Sequence, residues 1–302
     1  MTTVVEMKPA RPDKIAASIE VAPRQAVESA DLPNLFPKGT HVYVTDVGTD
    51  TTDTLVAAAR RLRELGFEPV PHFASRRLTT RPVLEDRIKR MSEEAGVNNV
   101  LVIGGGLERQ AGEFSSTMEV LETGYFDKYG VSSIGVAGHP EGSPDFSEEV
   151  AVAALRLKKS FAERSDAQLR IVTQFGFDAQ KFISWADSLK GHGIDLPVHL
   201  GVAGPAKITT LLKFAAMCGV GNSVSFLKKN ALSLTTLATS HSPENVVGPI
   251  ETHVLSGAAT PIRQIHVFAF GGLKKTSEWL EDRGTWDIKT SLYPSTSSTA
   301  QF

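Results

Sequence analysis

The chain has 302 residues, a formal net charge of −2 and 41% hydrophobic residues, so it can form one large α/β barrel or two smaller domains. This charge balance provides no basic field for nucleic acid, and no run of 18 apolar residues is present that would cross a membrane. The one cysteine, Cys218, excludes an intrachain disulfide and a cysteine-based zinc cage. The N-terminal stretch lacks the apolar core of a secretory signal, so we expect a cytoplasmic protein.

Eight strand-like runs alternate with segments of helical periodicity. Helices are predicted at 51–65 and 81–95, where Gly66 and Gly96 stand at the C-terminal caps. The alternation favours a parallel sheet, and eight such units predict a closed (β/α)8 TIM barrel, with an open doubly wound sheet as the alternative. The strands are predicted at 15–21, 41–46, 68–74, 98–104, 132–138, 168–175, 196–202 and 262–270.

The connection between the seventh and eighth strands is unusually long. Extra helices are predicted within it, at 206–217 and 242–255. We interpret 14–286 as a single barrel domain, and we expect 1–13 and the Ser/Thr-rich 287–302 to be flexible tails.

The sixth strand ends in an amide, Gln174, followed by a helix. Active sites of TIM barrels lie at the C-terminal ends of the strands, and an amide there can both donate to and accept from a flat heterocycle. The alternative is that Gln174 only tethers a loop.

Glu20 lies near the end of the first strand, among Ile and Val residues. A carboxyl group in apolar surroundings has a raised pKa and can hold a proton at neutral pH, which is the profile of a general acid. An ion pair with Arg24 or with another strand-end base is the alternative.

Three glycines, Gly104, Gly105 and Gly106, end the fourth strand. They would let a ligand lie against bare backbone N–H groups, although a tight turn without a ligand explains them as well. The spacing G-x-G-x-x-G is absent, so a dinucleotide-binding motif is a weak interpretation. His72, near the end of the third strand, can bind an anion or be a hydrogen-bonded core histidine.

The loop after the fifth strand offers His139 and Ser143, which can reach a phosphate or a ribose. Arg156, Lys158 and Lys159 follow on one helix. This basic group is either a solvated helical face or the partner of a diphosphate.

Phe214 follows the glycine-rich end of the seventh strand, at helical spacing from other apolar residues. That spacing favours a core position over a ligand-stacking one.

Taken in chain order, these strand ends resemble the methylenetetrahydrofolate reductase family over about residues 15–275. The specific matches are 18–23, which reads Ser-Ile-Glu-Val-Ala-Pro against the family's S-x-E-x-x-P, and 173–178, which reads Thr-Gln-Phe-Gly-Phe-Asp against its T-Q-aromatic-F-F-acid. Supporting similarities lie at 71–74, 138–144, 200–205 and 266–271.

The resemblance implies a TIM barrel with FAD at its C-terminal face and a folate substrate, and it leaves NADH binding and a homo-oligomer open. Glu20 matches the family's acid, which protonates folate N10 as the imidazolidine ring opens to the 5-iminium cation. Gln174 matches the amide that contacts the pterin, while Phe214 and Thr210 fall where the family binds folate or nicotinamide. The residues that fall on or beside FAD-binding positions are Thr45, His72, Gly104, Gly105, Gly106, Ser115, Ala137, His139, Ser143, Arg156, Lys158 and Lys159.

The sequence also departs from the family. The family's fourth strand ends R-G-D, whereas this chain has Gly104-Gly105-Gly106, and Gly176 replaces an aromatic residue. Loss of a carboxylate beside the flavin removes a charge that would stabilise the iminium cation. It also raises the expected flavin potential, which favours oxidation of methyltetrahydrofolate over its formation.

We therefore expect an FAD-dependent methylenetetrahydrofolate reductase that exchanges hydride through flavin N5 between 5,10-methylenetetrahydrofolate and 5-methyltetrahydrofolate. The missing carboxylate favours the oxidative direction. A barrel flavoprotein acting on another substrate is the first alternative. A folate-binding barrel without catalysis is the second.

Overall fold

A closed barrel of eight parallel strands forms the body of the molecule. The computed structural model describes residues 7–217, 220 and 240–288. The described strands are β1 (Ala16–Val21), β2 (His41–Val44), β3 (Glu68–Ala74), β4 (Asn99–Ile103), β5 (Ser133–Gly138), β6 (Gln168–Gly176), β7 (Val198–Ala203), β8 (Ala206–Lys207), β9 (Ser240–His241) and β10 (Ile262–Phe268). The barrel order is β1-β10-β7-β6-β5-β4-β3-β2, which confirms the TIM barrel and excludes the open sheet.

Helices follow the strands and cover the barrel. They are α1 (Pro23–Glu28), α2 (Leu32–Leu35), α3 (Thr52–Glu64), α4 (Arg81–Ala95), α5 (Thr117–Leu121), α6 (Tyr125–Lys128), α7 (Glu148–Ala162), α8 (Ala179–Ser188), α9 (Ile208–Met217), α10 (Glu244–Leu255) and α11 (Leu273–Asp282). Two short 3₁₀ turns lie at Ser75–Arg77 and Leu189–His192.

The helix boundaries have local causes. The side chain of Thr51 accepts a hydrogen bond from the Thr54 N–H at the start of α3, and Thr80 caps α4 in the same way. Gly96 ends α4 in the left-handed conformation, with φ 60°, which costs a glycine little. The predicted helices at 51–65 and 81–95 are therefore confirmed as α3 and α4.

The long connection after β7 contains the two predicted extra helices, α9 and α10. It also contains a small antiparallel sheet of β8 and β9, which we did not predict because two-residue strands have no periodicity to detect. Cys218, residues 1–6 and residues 289–302 lie outside the described residues. Of the predicted N-terminal tail, residues 7–13 are described, and the Ala10 N–H donates to the Thr285 carbonyl at 2.9 Å.

The barrel has an apolar outer layer and a polar interior. Outward-facing residues such as Ile19, Phe73 and Val267 pack into the main hydrophobic core beneath the helices. TIM barrel interiors are usually filled by branched apolar side chains, but here many buried interior residues are polar. These are Ser18, His41, His72, Asn99, Ser133, Arg170, His199, Gln264 and His266. No helix within the described ranges is long and apolar enough to cross a membrane.

Candidate active site

Glu20 lies between two histidines at the C-terminal end of the barrel. Its Oε2 is 3.5 Å from Nε2 of His266 and 3.6 Å from Nε2 of His72, and its side chain is 17% exposed. Of the alternative, the pairing with Arg24 is wrong, because the Arg24 guanidinium binds Glu28 at 2.8 Å on the outside of α1, whereas a pairing with another strand-end base agrees with the positions of His72 and His266. The structure thus brings together two residues of the sequence prediction, Glu20 and His72, and adds His266.

The two histidines determine the charge of Glu20. Burial raises the pKa of Glu20, but the hydrogen bond with His266 and the fields of His72 and His266 outweigh burial, so the pKa lies below its usual value. The expectation of a raised pKa is therefore wrong for this structure, since the carboxyl group faces imidazoles rather than aliphatic side chains. Burial likewise lowers the pKa of His72, although Glu20 opposes this shift.

A chain of hydrogen bonds leads from Glu20 down the barrel interior. The Ser18 hydroxyl lies 3.1 Å from Nδ1 of His266, and Nε2 of Gln264 donates to Ser18 Oγ at 3.1 Å. The Tyr43 ring packs on His266 with centroids 4.2 Å apart. We call Glu20, His266, Ser18 and Gln264 the polar column.

The glycine loop after β4 is held open by arginines. Gly105 and Gly106 have φ of 95° and 65°, which favours glycine, and nothing lies within 4 Å of a side chain built at Gly104 or Gly106. Arg77 Nε donates to the Gly105 carbonyl at 2.9 Å, and Arg76 binds the Leu107 carbonyl at 2.9 Å. Arg76 and Arg77 were not among the predicted site residues, although two adjacent arginines just after β3 could have indicated these contacts with the glycine loop. The open backbone suits a ligand that lies against it.

The loop after β5 contains a neutral histidine beside a buried lysine. Burial lowers the pKa of His139 to about 4, and the Lys158 charge adds to that effect. Lys158 is 6% exposed, and its burial lowers the pKa of its ammonium group to about 8. Among the described residues Lys158 has no ion-pair partner, so an anionic ligand would compensate its charge.

The other two basic residues of α7 do not join Lys158. Arg156 is exposed and its Nε donates to the His192 carbonyl at 2.9 Å. Lys159 pairs with Glu163 at 2.6 Å and lies 3.9 Å from Asp195. The basic run thus divides into one buried cation and two outward ones.

A groove of about 460 Å³ opens beside this loop, between α7 and α8. His139, Phe146 and Trp185 line its walls, and the His139 and Phe146 rings meet edge to face at 4.9 Å. The groove is large enough for part of an elongated ligand that also contacts the barrel mouth.

Gln174 both tethers a loop and presents an unpaired acceptor. Its Nε2 donates to the Gly142 carbonyl at 3.2 Å, as the alternative interpretation expected. Its Oε1 is buried without a hydrogen-bond partner among the described residues. A buried acceptor without a partner is costly, so a ligand N–H group would bind there favourably.

An aromatic cluster lines the mouth beside β6, β10 and α9. Phe214 stacks on Phe270 with centroids 4.2 Å apart and an interplanar angle of 15°, and Phe175 meets Phe270 at 4.8 Å. Phe214 and Phe270 are only partly buried, so one aromatic surface remains available at the mouth. Thr210, also half-buried, lies one turn before Phe214 on α9.

The remaining predicted ligand contacts have local roles in the structure. The Thr45 N–H donates to the Val21 carbonyl, and Ala137 is half-buried near the end of β5. Ser115 Oγ donates to Glu119 at 2.8 Å, and Ser143 Oγ accepts from the Asp145 N–H at 3.2 Å. No group of three or more metal-ligating side chains exists within the described part of the chain.

Gly176 departs from the family pattern for a steric reason. A side chain there would meet the Phe182 ring at 2.6 Å and Glu141 Oε1 at 2.9 Å. The position is therefore filled by neighbours rather than open to a ligand.

Comparison with known proteins agrees with the motifs. The family model described as methylenetetrahydrofolate reductase matches residues 15–231. Methylenetetrahydrofolate reductase 1 of Schizosaccharomyces pombe is 32% identical over 127 residues, 39% of this chain and 20% of that protein. Methylenetetrahydrofolate reductase 2 of Saccharomyces cerevisiae is 27% identical over 173 residues, 53% of this chain and 26% of that protein.

The match to a third relative spans a larger share of that protein's length. The 5,10-methylenetetrahydrofolate reductase of Pectobacterium carotovorum subsp. carotovorum is 25% identical over 199 residues, 63% of this chain and 61% of that protein. The chain thus spans between a fifth and about three fifths of these curated relatives. Because the family match covers well over half of the chain, the chain belongs to the methylenetetrahydrofolate reductase family.

Proposed function

We propose that the protein interconverts 5,10-methylenetetrahydrofolate and 5-methyltetrahydrofolate with FAD as its cofactor, and that it works in the oxidative direction. The observation that carries the proposal is the Glu20 carboxylate, which lies within 3.6 Å of two imidazoles at the C-terminal mouth of a TIM barrel. Family membership supports the reaction class. We place the protein in the cytoplasm.

The residues at the mouth fit FAD in three respects. The backbone at Gly104 and Gly106 has open space beside it and can face a flat ring. Lys158 is a buried cation that lacks an anion among the described residues, which suits a diphosphate. The groove lined by His139 and Trp185 offers room for the rest of the cofactor. When bound, FAD supplies the N5 position that exchanges hydride with the one-carbon unit.

Glu20 handles the proton at folate N10. In the oxidative direction, N10 attacks the carbon of the 5-iminium cation and loses its proton as the five-membered ring closes. The Glu20 carboxylate accepts that proton, and its lowered pKa keeps it ionised at neutral pH, ready to do so. His266 hydrogen-bonds the carboxylate at 3.5 Å, and His72 lies 3.6 Å away, where its protonated form would stabilise the same charge.

Gln174 and the aromatic cluster orient the substrate. The unpaired Oε1 of Gln174 accepts from a pterin N–H group, and the partly exposed ring of Phe214 packs on a flat part of the folate. These contacts exclude water from the reacting carbon and align it with the cofactor.

An absorbance spectrum tests the proposal. The purified protein should show a flavin band near 450 nm, and anaerobic 5-methyltetrahydrofolate should bleach it. A colourless protein that does not bind added FAD would overturn the flavin assignment. The substrate assignment would be overturned by a yellow protein whose flavin is not reduced by 5-methyltetrahydrofolate and whose reduced flavin is not reoxidised by 5,10-methylenetetrahydrofolate.

A further inference from the structure

A second cavity lies at the opposite, N-terminal end of the barrel. It has a volume of about 150 Å³, which is several times the space that one water molecule occupies in the liquid. Its walls come from the first residues of the strands, including His41, Asn99 and Ser133. Active sites of TIM barrels lie at the other end, so the proposed reaction does not account for this cavity.

A buried arginine without an anion forms one wall. Arg170 is 6% exposed, and its guanidinium donates to three neutral side chains, Tyr43 Oη, Ser133 Oγ and Asn99 Oδ1, at 2.6 to 3.2 Å. No carboxylate lies within ion-pair distance of Arg170 in the described ranges. A buried charge is normally paired, because removing it from water is costly.

The rest of the wall is also basic. His199 is 8% exposed, and its Nδ1 has no hydrogen-bond partner among the described residues. Burial lowers the pKa of His199 far below its usual value, and the positive fields of Arg170, His41 and His266 add to that effect. Arg263 lies at the rim, and none of the described residues that line the cavity is an aspartate or a glutamate.

We propose that this cavity binds a small oxyanion, of the size and charge of inorganic phosphate or sulfate. Arg170 and Arg263 supply positive charge from two strands, and His199 supplies one N–H donor when neutral and two when protonated. Ser133, Gln168 and Gln264 add neutral donors to the same walls. An oxyanion matches this set because it accepts hydrogen bonds on several sides at once.

Isothermal titration of FAD-supplemented protein with inorganic phosphate at constant ionic strength tests the proposal. FAD is added so that phosphate does not bind at the diphosphate site of the other end. We expect one phosphate per chain and at least tenfold weaker binding in His199→Leu and in Arg263→Gln. Arg24→Gln removes an exposed arginine outside the cavity and is the matched control, with unchanged affinity.

Sulfate supplies an independent readout, because its charge stays constant between pH 6 and 8. Its affinity should increase as the pH falls, since the bound anion raises the pKa of His199, and His199→Leu should weaken this dependence, leaving the part that His41 contributes. The proposal is overturned if phosphate binding does not exceed that of chloride. It is equally overturned if both variants fold normally and bind phosphate as the parent does.

Discussion

At the scale of single residues, the charge of Glu20 depends on contacts between distant parts of the chain. The Ser-x-Glu motif at 18–20 identifies Glu20, and its strand-end position follows from the run of apolar residues around it. The sign of its pKa shift depends on His266, which is 246 positions away and reaches Glu20 only when the barrel closes. The contacts of Arg170 likewise form only when the barrel closes, because its partners Tyr43 and Asn99 lie on other strands.

Glu20→Gln should retain FAD and lose folate turnover by about 10²- to 10⁴-fold, the usual contribution of general acid–base catalysis. The amide keeps the shape of the side chain but cannot accept the N10 proton. Turnover of 5-methyltetrahydrofolate and flavin absorbance measure the two properties separately. Near-normal turnover in this variant would remove Glu20 from the mechanism.

Gln174→Leu should weaken folate binding by about 1–3 kcal/mol, because the ligand group that faces Oε1 loses its acceptor. FAD binding should be weakened less. The variant also loses the bond to the Gly142 carbonyl, so the melting temperature and the FAD affinity are the controls for loop disorder. Folate affinity equal to that of the parent, in a correctly folded variant, would leave Gln174 as a loop tether alone.

At the scale of elements, the strands were predictable because they are rich in β-branched and aromatic residues, which form the apolar outer layer of the barrel. The predicted ranges 68–74 and 81–95 coincide with β3 and α4. The short helices α5 and α6 were not predicted, since four or five residues show too little periodicity. The conformation of the glycine loop was also beyond sequence, because the side chains of Arg76 and Arg77 determine it.

Gly106→Asp should lower the flavin potential and shift turnover toward the reductive direction. An added carboxylate a few ångströms from the flavin interacts by on the order of a few kcal/mol with charge that develops there. The φ of 65° at Gly106 is one that Asp and Asn tolerate better than other residues, and nothing lies within 4 Å of the added Cβ.

Gly106→Asn is the matched control, since it has the same shape and backbone preference without the charge. Potentiometric titration and the ratio of oxidative to reductive turnover should distinguish Asp from Asn. Equal values in the two variants would show that charge at this position does not tune the chemistry.

At the scale of the whole molecule, stability should fall as the pH falls below about 6.5, because buried neutral histidines must become charged. The pKa of His139 is lowered to about 4 from 6.5, so its contribution is complete above pH 6.5 and is lost as the pH falls toward 4. The full loss from this one residue is about 3 kcal/mol. His72 and His199 act in the same direction.

His139→Asn should flatten this dependence. Denaturant unfolding of the ligand-free protein at a series of pH values between 7 and 4 measures it, and the difference between the parent and the variant isolates His139. Parallel curves for the two proteins would mean that His139 is already exposed enough to titrate normally.

The polar column has a further consequence, for the fidelity of folding. Ser18 pairs with His266 in the ladder between β1 and β10. A slip of one residue in β10 would turn Ile265 or Val267 inward in place of His266. Glu20 would then lose the hydrogen bond of that imidazole and keep only His72 near its carboxylate, so the cost of burying its charge would rise and destabilise the misaligned barrel. An aliphatic interior would tolerate the same slip at a lower cost in free energy. The polar column that serves the proposed chemistry therefore also favours the correct register of β10 when the barrel closes.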